Sequence, residues 1–247
     1  DVIWSPEATQ FIITDSSDYI LLQANQIVDG NGYTISLPDS TVGFQQLFHT
    51  DGFGVTTIDN APIIRNLNVK WTKDWKKYPL MISDYAGGIV KGQFMKIYKC
   101  STDGHIGNHS GGVIGFQAAS DSGYAIIENC FSECDFKGPG TGCGIIIGSN
   151  FCYNRGTGEV RNCYSTTKKL TIKYSGGIIG NHIVVGGYIA GPEKITIEKC
   201  FSLGSLRDAT ALSLPSTKSE SAGGITGKSL FYDSNQQSIM KDCFCMA

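Results

Sequence analysis

Nine cysteines, four histidines and one aromatic–basic run are the residues in this 247-residue chain whose types and spacing suit chemistry. A zinc site wants Cys-x-x-Cys pairs, or His interleaved with Cys at short spacing. Cys243-Phe244-Cys245 and the Cys130/Cys134 pair do not follow that logic, so no metal and no cofactor is expected. His105 and His109 lie four apart beside Asp103, a spacing that would hold a metal on a helix. Their context, Thr102-Asp103-Gly104-His105-Ile106-Gly107-Asn108-His109, is a Gly-rich turn, which reads as exposed loop histidines. Five cysteines (Cys100, Cys130, Cys163, Cys200 and Cys243) recur at one repeat position. They suit a buried column of free thiols, since Cys is among the most buried residue types. Disulfides suit a secreted chain, and Cys143 with Cys152 is then the most plausible pair among the remaining Cys134, Cys143, Cys152 and Cys245. The run from Trp71 to Pro79 holds two of the three Trp and three Lys. As a projecting loop it would offer aromatic platforms and cations to a sugar ring, an anionic glycan or a protein. Its ligand-binding candidates are Trp71, Lys73, Trp75, Lys76, Lys77 and Tyr78; the alternative is a loop packing its own Trp residues against the body.

The elements that must position these residues are repeats. A Gly-Gly pair followed by β-branched residues occurs as AGGIVKG at 86–92, SGGVIG at 110–115, GCGIIIG at 142–148, SGGIIG at 175–180 and AGGITG at 222–227. Each is followed by a segment ending in Cys: MKIYKCS, AIIENCFS, GEVRNCYS, ITIEKCFS and SIMKDCF. The second Gly and the Cys are 12, 18, 19, 23 and 19 residues apart, and successive Cys are 30, 33, 37 and 43 apart. Fixed motifs with drifting gaps are the mark of a solenoid that keeps its strands and varies its loops. The motifs are short, rich in Ile and Val, and bounded by Gly, Ser, Asn and Asp, which predicts strands. In Ile195-Thr196-Ile197-Glu198-Lys199-Cys200 the two Ile face one side, and the broken alternation at Glu198-Lys199-Cys200 predicts a bend or a bulge there. Gly-Gly is expected at a corner, where φ is positive or where no Cβ fits. Phe131, Tyr164, Phe201 and Phe244 are expected to form an aromatic ladder on the face opposite Cys. The window 205–221, cut by Pro215, reads as a long loop with at most one helical turn, and as a second site for variable function.

Before residue 86 the pattern is diverged. Ile27-Val28-Asp29-Gly30-Asn31-Gly32-Tyr33-Thr34-Ile35 reads as strand, turn and strand. In Ile64-Arg65-Asn66-Leu67-Asn68-Val69, Leu67 fills the slot later taken by Cys. The organisation expected is one domain over 1–247, with diverged N-terminal coils and a cap in 1–85 and five repeats in 86–247. Charged residues are 17%, against a usual ~25%, and hydrophobic residues 41%, which excludes global disorder. A net charge of −2 argues against a nucleic-acid partner held by a basic surface. No apolar run approaches ~18 residues, so no membrane insertion is expected. No basic-then-apolar leader is visible either. Thr does not recur at one repeat position, as an ice-binding array would require.

Gly-Gly-Ile-Ile-Gly followed by Ile-x-x-Cys-Phe-Ser resembles the GLUG repeat of surface-exposed and secreted proteins. The resemblance covers about 160 residues in five copies. Asp29-Gly30-Asn31-Gly32-Tyr33-Thr34-Ile35 looks like an early coil of pectin-lyase-like β-helices. Both imply an all-β, right-handed parallel β-helix of about eight or nine coils. Polygalacturonase-type enzymes on that fold carry Asn-Thr-Asp, Asp-Asp, Gly-His-Gly and Arg-x-Lys. His49-Thr50-Asp51-Gly52 resembles the first and Gly104-His105-Ile106-Gly107 faintly the third; the other two are absent. Glycoside hydrolysis needs two positioned carboxylates, so the catalytic candidates under this resemblance are Asp51, Asp103 and His105, with Asp59 and Asp84 as further partners for Asp51.

The function expected is a non-enzymatic surface or assembly module: an adhesin, a fibre, or an outer component of a cell or virus particle. It would bind glycan or protein through loops, at a cell or particle surface or outside the cell. Fully reduced cysteines would instead suit a particle assembled inside the cell. A carbohydrate-active enzyme on the same fold is the alternative. Trp4 and Phe11 are expected in an N-terminal cap. The last strand, ending at Cys243-Phe244-Cys245, is expected to pair with more of the same protein or another chain.

Overall fold

A computed structural model describes residues 2–3, 19–37, 46–71, 87–136, 140–173, 175–181, 192–208, 224–227 and 237–246. These residues form an all-β parallel solenoid, regular over about four turns, and among them there is no helix. The first wall stacks eight strands in chain order: Val2–Ile3, Ile27–Asp29, Ile63–Arg65, Phe94–Tyr98, Tyr124–Glu128, Thr157–Arg161, Lys194–Glu198 and Ile239–Lys241. The second wall runs through Thr34–Leu37, Asn68–Trp71, Ser101–Asp103, Phe131–Ser132, Tyr164–Lys173, Phe201–Asp208 and Phe244–Met246. The third begins with Ile20–Leu21, Phe48–His49 and Val90–Lys91. It continues as single bridges from Val90 through Ile114, Ile147 and Ile179 to Thr226.

The repeat sequence stacks because equivalent residues meet at every rung. Ile64, Ile97, Ile127, Val160 and Ile197 are in register and fully buried, one inward column along the first wall. Their neighbours alternate outward, the period of two expected of a strand with one buried face. Gly158 interrupts the adjacent column, and the space a Cβ would take is filled by Phe151 and the Cys152 thiol.

The bend expected before Cys200 is a left-handed residue, and it repeats. Asn66, Lys99, Asn129, Asn162, Lys199 and Asp242 have φ of 52°, 52°, 57°, 51°, 52° and 52°. Each turns the chain from the first wall into the second. Asn and Asp tolerate this conformation better than most residues, which explains the Asn-Cys and Asp-Cys of three repeats. Beyond the turn, Leu67 opens the column that Cys100, Cys130, Cys163, Cys200 and Cys243 continue. Outside it, Phe131, Tyr164, Phe201 and Phe244 stack with ring centroids 4.1, 5.0 and 5.2 Å apart, as the sequence suggested.

Of the two reasons considered for Gly-Gly, lack of space is the operative one. Gly111, Gly144 and Gly176 bridge one another across successive coils, and none has positive φ. A Cβ on Gly144 would lie 2.0 Å from the Ile147 carbonyl oxygen and 2.4 Å from the Gly180 nitrogen. The same register corrects the third repeat. Gly144 occupies the first-Gly slot and Cys143 the preceding small-residue slot of Ser110 and Ser175, so the second Gly is replaced by Ile145.

Two further expectations change. Residues 205–208 are not loop but the continuation of strand Phe201–Asp208. It pairs with the ten-residue Tyr164–Lys173 across a register shift between Thr167 and Leu170. All nine cysteines are thiols, so Cys143 and Cys152 are not joined; the Cys143 thiol instead donates to the Gly107 carbonyl at 3.1 Å. The expected cap residues Trp4 and Phe11 and the rest of 205–221 lie outside the described residues.

Candidate functional site

The third wall carries the arrangement with the most chemical character. Phe48 and Val90 point inward and are buried, so their neighbours His49 and Lys91 point outward. In-register pairing puts Leu21, His49 and Lys91 on three consecutive rungs of one outer ladder. The Tyr19 ring lies 5.2 Å from the His49 ring. Asp51 Oδ2 is 3.6 Å from His49 Nδ1. Asp51 Oδ1 accepts the Gln93 backbone N–H at 2.6 Å, which ties the carboxylate to the next coil. The Asp51 backbone N–H faces His49 Nδ1 at 3.4 Å, a bond that the neutral imidazole can accept.

Gly92, with φ +147°, makes this approach possible. A Cβ there would lie 2.1 Å from Thr50 Oγ1 and 2.9 Å from Asp51 Oδ1. Burial lowers the proton affinity of His49; Asp51 opposes that and the Lys91 charge adds to it. Burial likewise lowers Lys91, again opposed by Asp51. The set is thus a neutral imidazole and a carboxylate beside an ammonium that gives up its proton more readily than usual. Tyr19 is 49% exposed and Leu21 51%, and Phe53 in the turn after Asp51 is 89% exposed, so large apolar groups face solvent on this wall and at the turn that follows it.

The lowered His49 value has a consequence for stability. Near pH 6.5 the unfolded chain binds a proton that the folded chain declines, so stability is higher above this range and falls as pH drops through it. The thermal midpoint is expected to fall between pH 7 and pH 5.5, with a shallower fall in His49→Gln. An unchanged pH slope in that variant would contradict the assignment.

The first wall holds a second polar cluster. The Tyr124 hydroxyl donates to Glu159 Oε1, and Arg161 Nη2 is 2.7 Å from Glu159 Oε2. Arg161 Nε lies 4.0 Å from Glu198 Oε2, and Lys199 and Lys241 approach Glu198 Oε1 at 3.8 and 3.9 Å. Burial, then the bond to Glu159, pushes Tyr124 up to about 12. Cations meet both carboxylates, so this is a self-neutralised outer ladder.

The catalytic candidates Asp51, Asp103 and His105 are not brought together. Asp51 follows a strand of the third wall. Asp103 is on the second, 2.9 Å from Lys70 Nζ. His105 is on a separate two-stranded pairing of His105–Ile106 with Asp135–Phe136. His105 is buried and His109 half-buried, not exposed loop residues as expected; His109 Nδ1 lies 3.2 Å from Ser149 Oγ. Among the ligand-binding candidates, Trp71 ends strand Asn68–Trp71; its side chain, with Lys73, Trp75, Lys76, Lys77 and Tyr78, lies outside the described residues, as does Asp84. Sequence reasoning missed Tyr19, His49 and Lys91 as partners of Asp51. The available signal was Lys91-Gly92, the one repeat in which a Lys displaces the closing Gly.

Among the described residues, no three His, Cys, Asp or Glu side chains converge on a metal site, and no helix is long and apolar enough to cross a membrane. No family model, curated protein or solved structure matches the chain.

Proposed function

We propose that the chain is a single-domain, right-handed parallel β-helix of eight or nine coils, related to the GLUG and pectin-lyase-like repeats. It serves as a non-enzymatic surface or assembly module, of the kind found in adhesins, fibres and outer particle components. It acts outside the cell or at a cell or particle surface and holds a glycan or protein ligand on its outer wall. The observation that carries this reading is the patch of Tyr19, Leu21 and Phe53 around His49, Asp51 and Lys91. Exposed apolar groups rimmed by polar ones mark interaction surfaces, and here Leu21, His49 and Lys91 stand on strands fixed by inter-coil pairing, with Tyr19 just before the first strand and Phe53 in the turn after Asp51. The Trp71–Tyr78 run extends the same ligand chemistry. At the far end, Ile239, Met240, Phe244 and Met246 are exposed on the last described rung, which supports pairing of that edge with further coils or another copy.

The alternative, a carbohydrate-active enzyme, is favoured by one observation. His49, Asp51 and Lys91 place a neutral imidazole, a carboxylate and an amine of reduced proton affinity on one wall. Such groups do general acid–base work.

One experiment separates the two. The protein is screened on a glycan array and each binder is then incubated with it in solution. Binding without new reducing ends or unsaturated product, weakened at least tenfold in Phe53→Ala and Lys91→Ala, supports the module. Turnover abolished by His49→Ala and Asp51→Asn supports the enzyme. Binding unchanged in all four variants removes the patch from both readings.

A further inference from the structure

The outer face of the first wall is complementary to its own reverse. On each rung a buried residue points inward, so the residues on either side of it point out and form two outer columns. In one column Ile126 stands at the middle rung. One rung out on either side stand Lys96 and Glu159. Two rungs out stand Ile63 and Thr196, and three rungs out Ile27 and Ile239. In the other column Glu128 holds the middle rung, flanked by Tyr98 and Arg161. Beyond these lie Arg65 and Glu198, then Asp29 and Lys241. Positions equally far from the centre thus hold opposite charges, an aromatic ring and a cation, or two uncharged groups. The one mismatch is Glu128, which is its own counterpart.

We propose that this face docks a second copy of the chain, as an antiparallel dimer centred on the strand Tyr124–Glu128. A two-fold axis lying in the contact plane and parallel to that strand generates it. The axis sets the two walls face to face with their solenoid axes antiparallel. Each column then meets its own copy, and the rungs before the centre meet the rungs after it. The interface is isologous, so Lys96–Glu159, Arg65–Glu198 and Asp29–Lys241 contacts each occur twice. Tyr98 meets Arg161, a pairing of ring and guanidinium that is favourable in its own right.

Neighbouring centres do not fit. Half a rung towards the N-terminus, Arg65 faces Arg161 and Asp29 faces Glu198. Half a rung the other way, Ile126 faces Glu159 and Arg65 faces Lys241. A full rung back, Lys96 faces itself and Ile27 faces Glu159.

The charged heads are already held on the outer face. Asp29 fixes Arg65 at 2.7 Å, Glu159 fixes Arg161 at 2.7 Å, and Lys96 donates to the Asp59 carbonyl at 3.0 Å. These bonds leave capacity for a partner, since an ammonium has three N–H donors and a carboxylate two acceptor oxygens. The face spans about 29 Å over six rung spacings and about 16 Å along a five-residue strand. Two copies therefore hide on the order of 900 Å², at the small end of specific interfaces. The dimer is accordingly weak and reversible. It leaves the edge of the last strand free for the pairing proposed above. A bulky group attached at position 63 or 239 stands on the docking face and would hold the copies apart.

The test is sedimentation velocity of the full chain over a concentration series from micromolar to millimolar. The wild type should show a monomer–dimer equilibrium that weakens as salt is raised. Lys96→Glu and Glu159→Lys should each weaken the dimer at least about tenfold, because each sets like charges together twice. Mixing the two variants should restore it, since both contacts are then between opposite charges. Glu128→Gln removes the like-charge contact on the axis and should tighten the dimer about threefold or more. Far-UV circular dichroism checks folding. Should Glu159→Lys fail that check, Arg65→Glu mixed with Glu198→Arg supplies the same comparison. A monomer throughout the series would overturn the proposal. So would a dimer indifferent to Lys96→Glu, as one joined end to end through the last strand would be. A mixture that stays monomeric, or a Glu128→Gln protein that associates less, would overturn it as well.

Discussion

Gly144→Ala is expected to unfold the chain. The added Cβ would meet the Ile147 carbonyl oxygen at 2.0 Å, the Gly180 nitrogen at 2.4 Å and the Ile178 carbonyl oxygen at 2.7 Å. All three are backbone atoms, and Gly180 and Ile178 belong to the next coil. Relief therefore requires moving backbone within its own coil and separating that coil from the next, not rotating a side chain. Gly144 bridges Gly111 on one side and Gly176 on the other, so separation breaks the third wall at mid-stack. A cost above about 4 kcal/mol is expected, at the extreme of single substitutions and comparable with the whole stability of many domains. The measurement is soluble yield and urea unfolding. Gly32→Ala is the control: its φ is +77° but nothing lies within 4 Å of the added Cβ. It should cost only about 1 kcal/mol of backbone strain. A Gly144→Ala protein within about 1 kcal/mol of wild type would contradict the stacking.

Ile127→Ala should cost about 3–4 kcal/mol, whereas Ile126→Ala should cost less than about 1 kcal/mol. Ile127 is fully buried between Ile97 and Val160 of the neighbouring rungs. Truncation leaves a cavity that in-register strands cannot close without moving both neighbours. Ile126 points outward, between Lys96 and Glu159. Because a strand's period is two, the comparison tests register directly: a slip of one residue would exchange the two effects. Chemical denaturation of both variants supplies the numbers, and equal losses would contradict the register described.

How far the sequence disclosed this differs between scaffold and site. Gly-Gly, Ile-x-x-Cys and the following aromatic were legible because each performs one repeated physical task. The Gly admits a neighbouring backbone, the Ile and Cys fill the interior, and the aromatic stacks outside. Repetition made those tasks visible even where Leu67 stood in for Cys, but not that Ile145 stands in for the second Gly of the third repeat, because Gly142-Cys143-Gly144 suggests a register one residue off. The length of Phe201–Asp208 was not legible, because Gly204 and the charged Arg207 and Asp208 mask its strand character. The site was harder. Asp51 was found through a local motif. Its neighbours His49 and Lys91 are 42 residues apart in the chain and meet only because the third wall pairs Phe48 with Val90. Nothing local to Lys91 indicates that pairing except the displaced Gly92. Asp103 and His105 illustrate the converse. They are two residues apart in sequence, yet the chain leaves one wall for another between them.

The central claim is that successive repeats stack in register along one axis, and one distance tests it most directly. Ile63, Lys96, Ile126, Glu159, Thr196 and Ile239 form a single ladder on the first wall. Spin labels attached through introduced azide-bearing residues at positions 63 and 239 leave the native thiols untouched. They span five rungs of ~4.8 Å each. Pulsed electron–electron resonance should give one narrow distribution centred about 24 Å, broadened only by the label arms. A broad distribution, or a mean far above this distance, would show that the repeats do not stack as described.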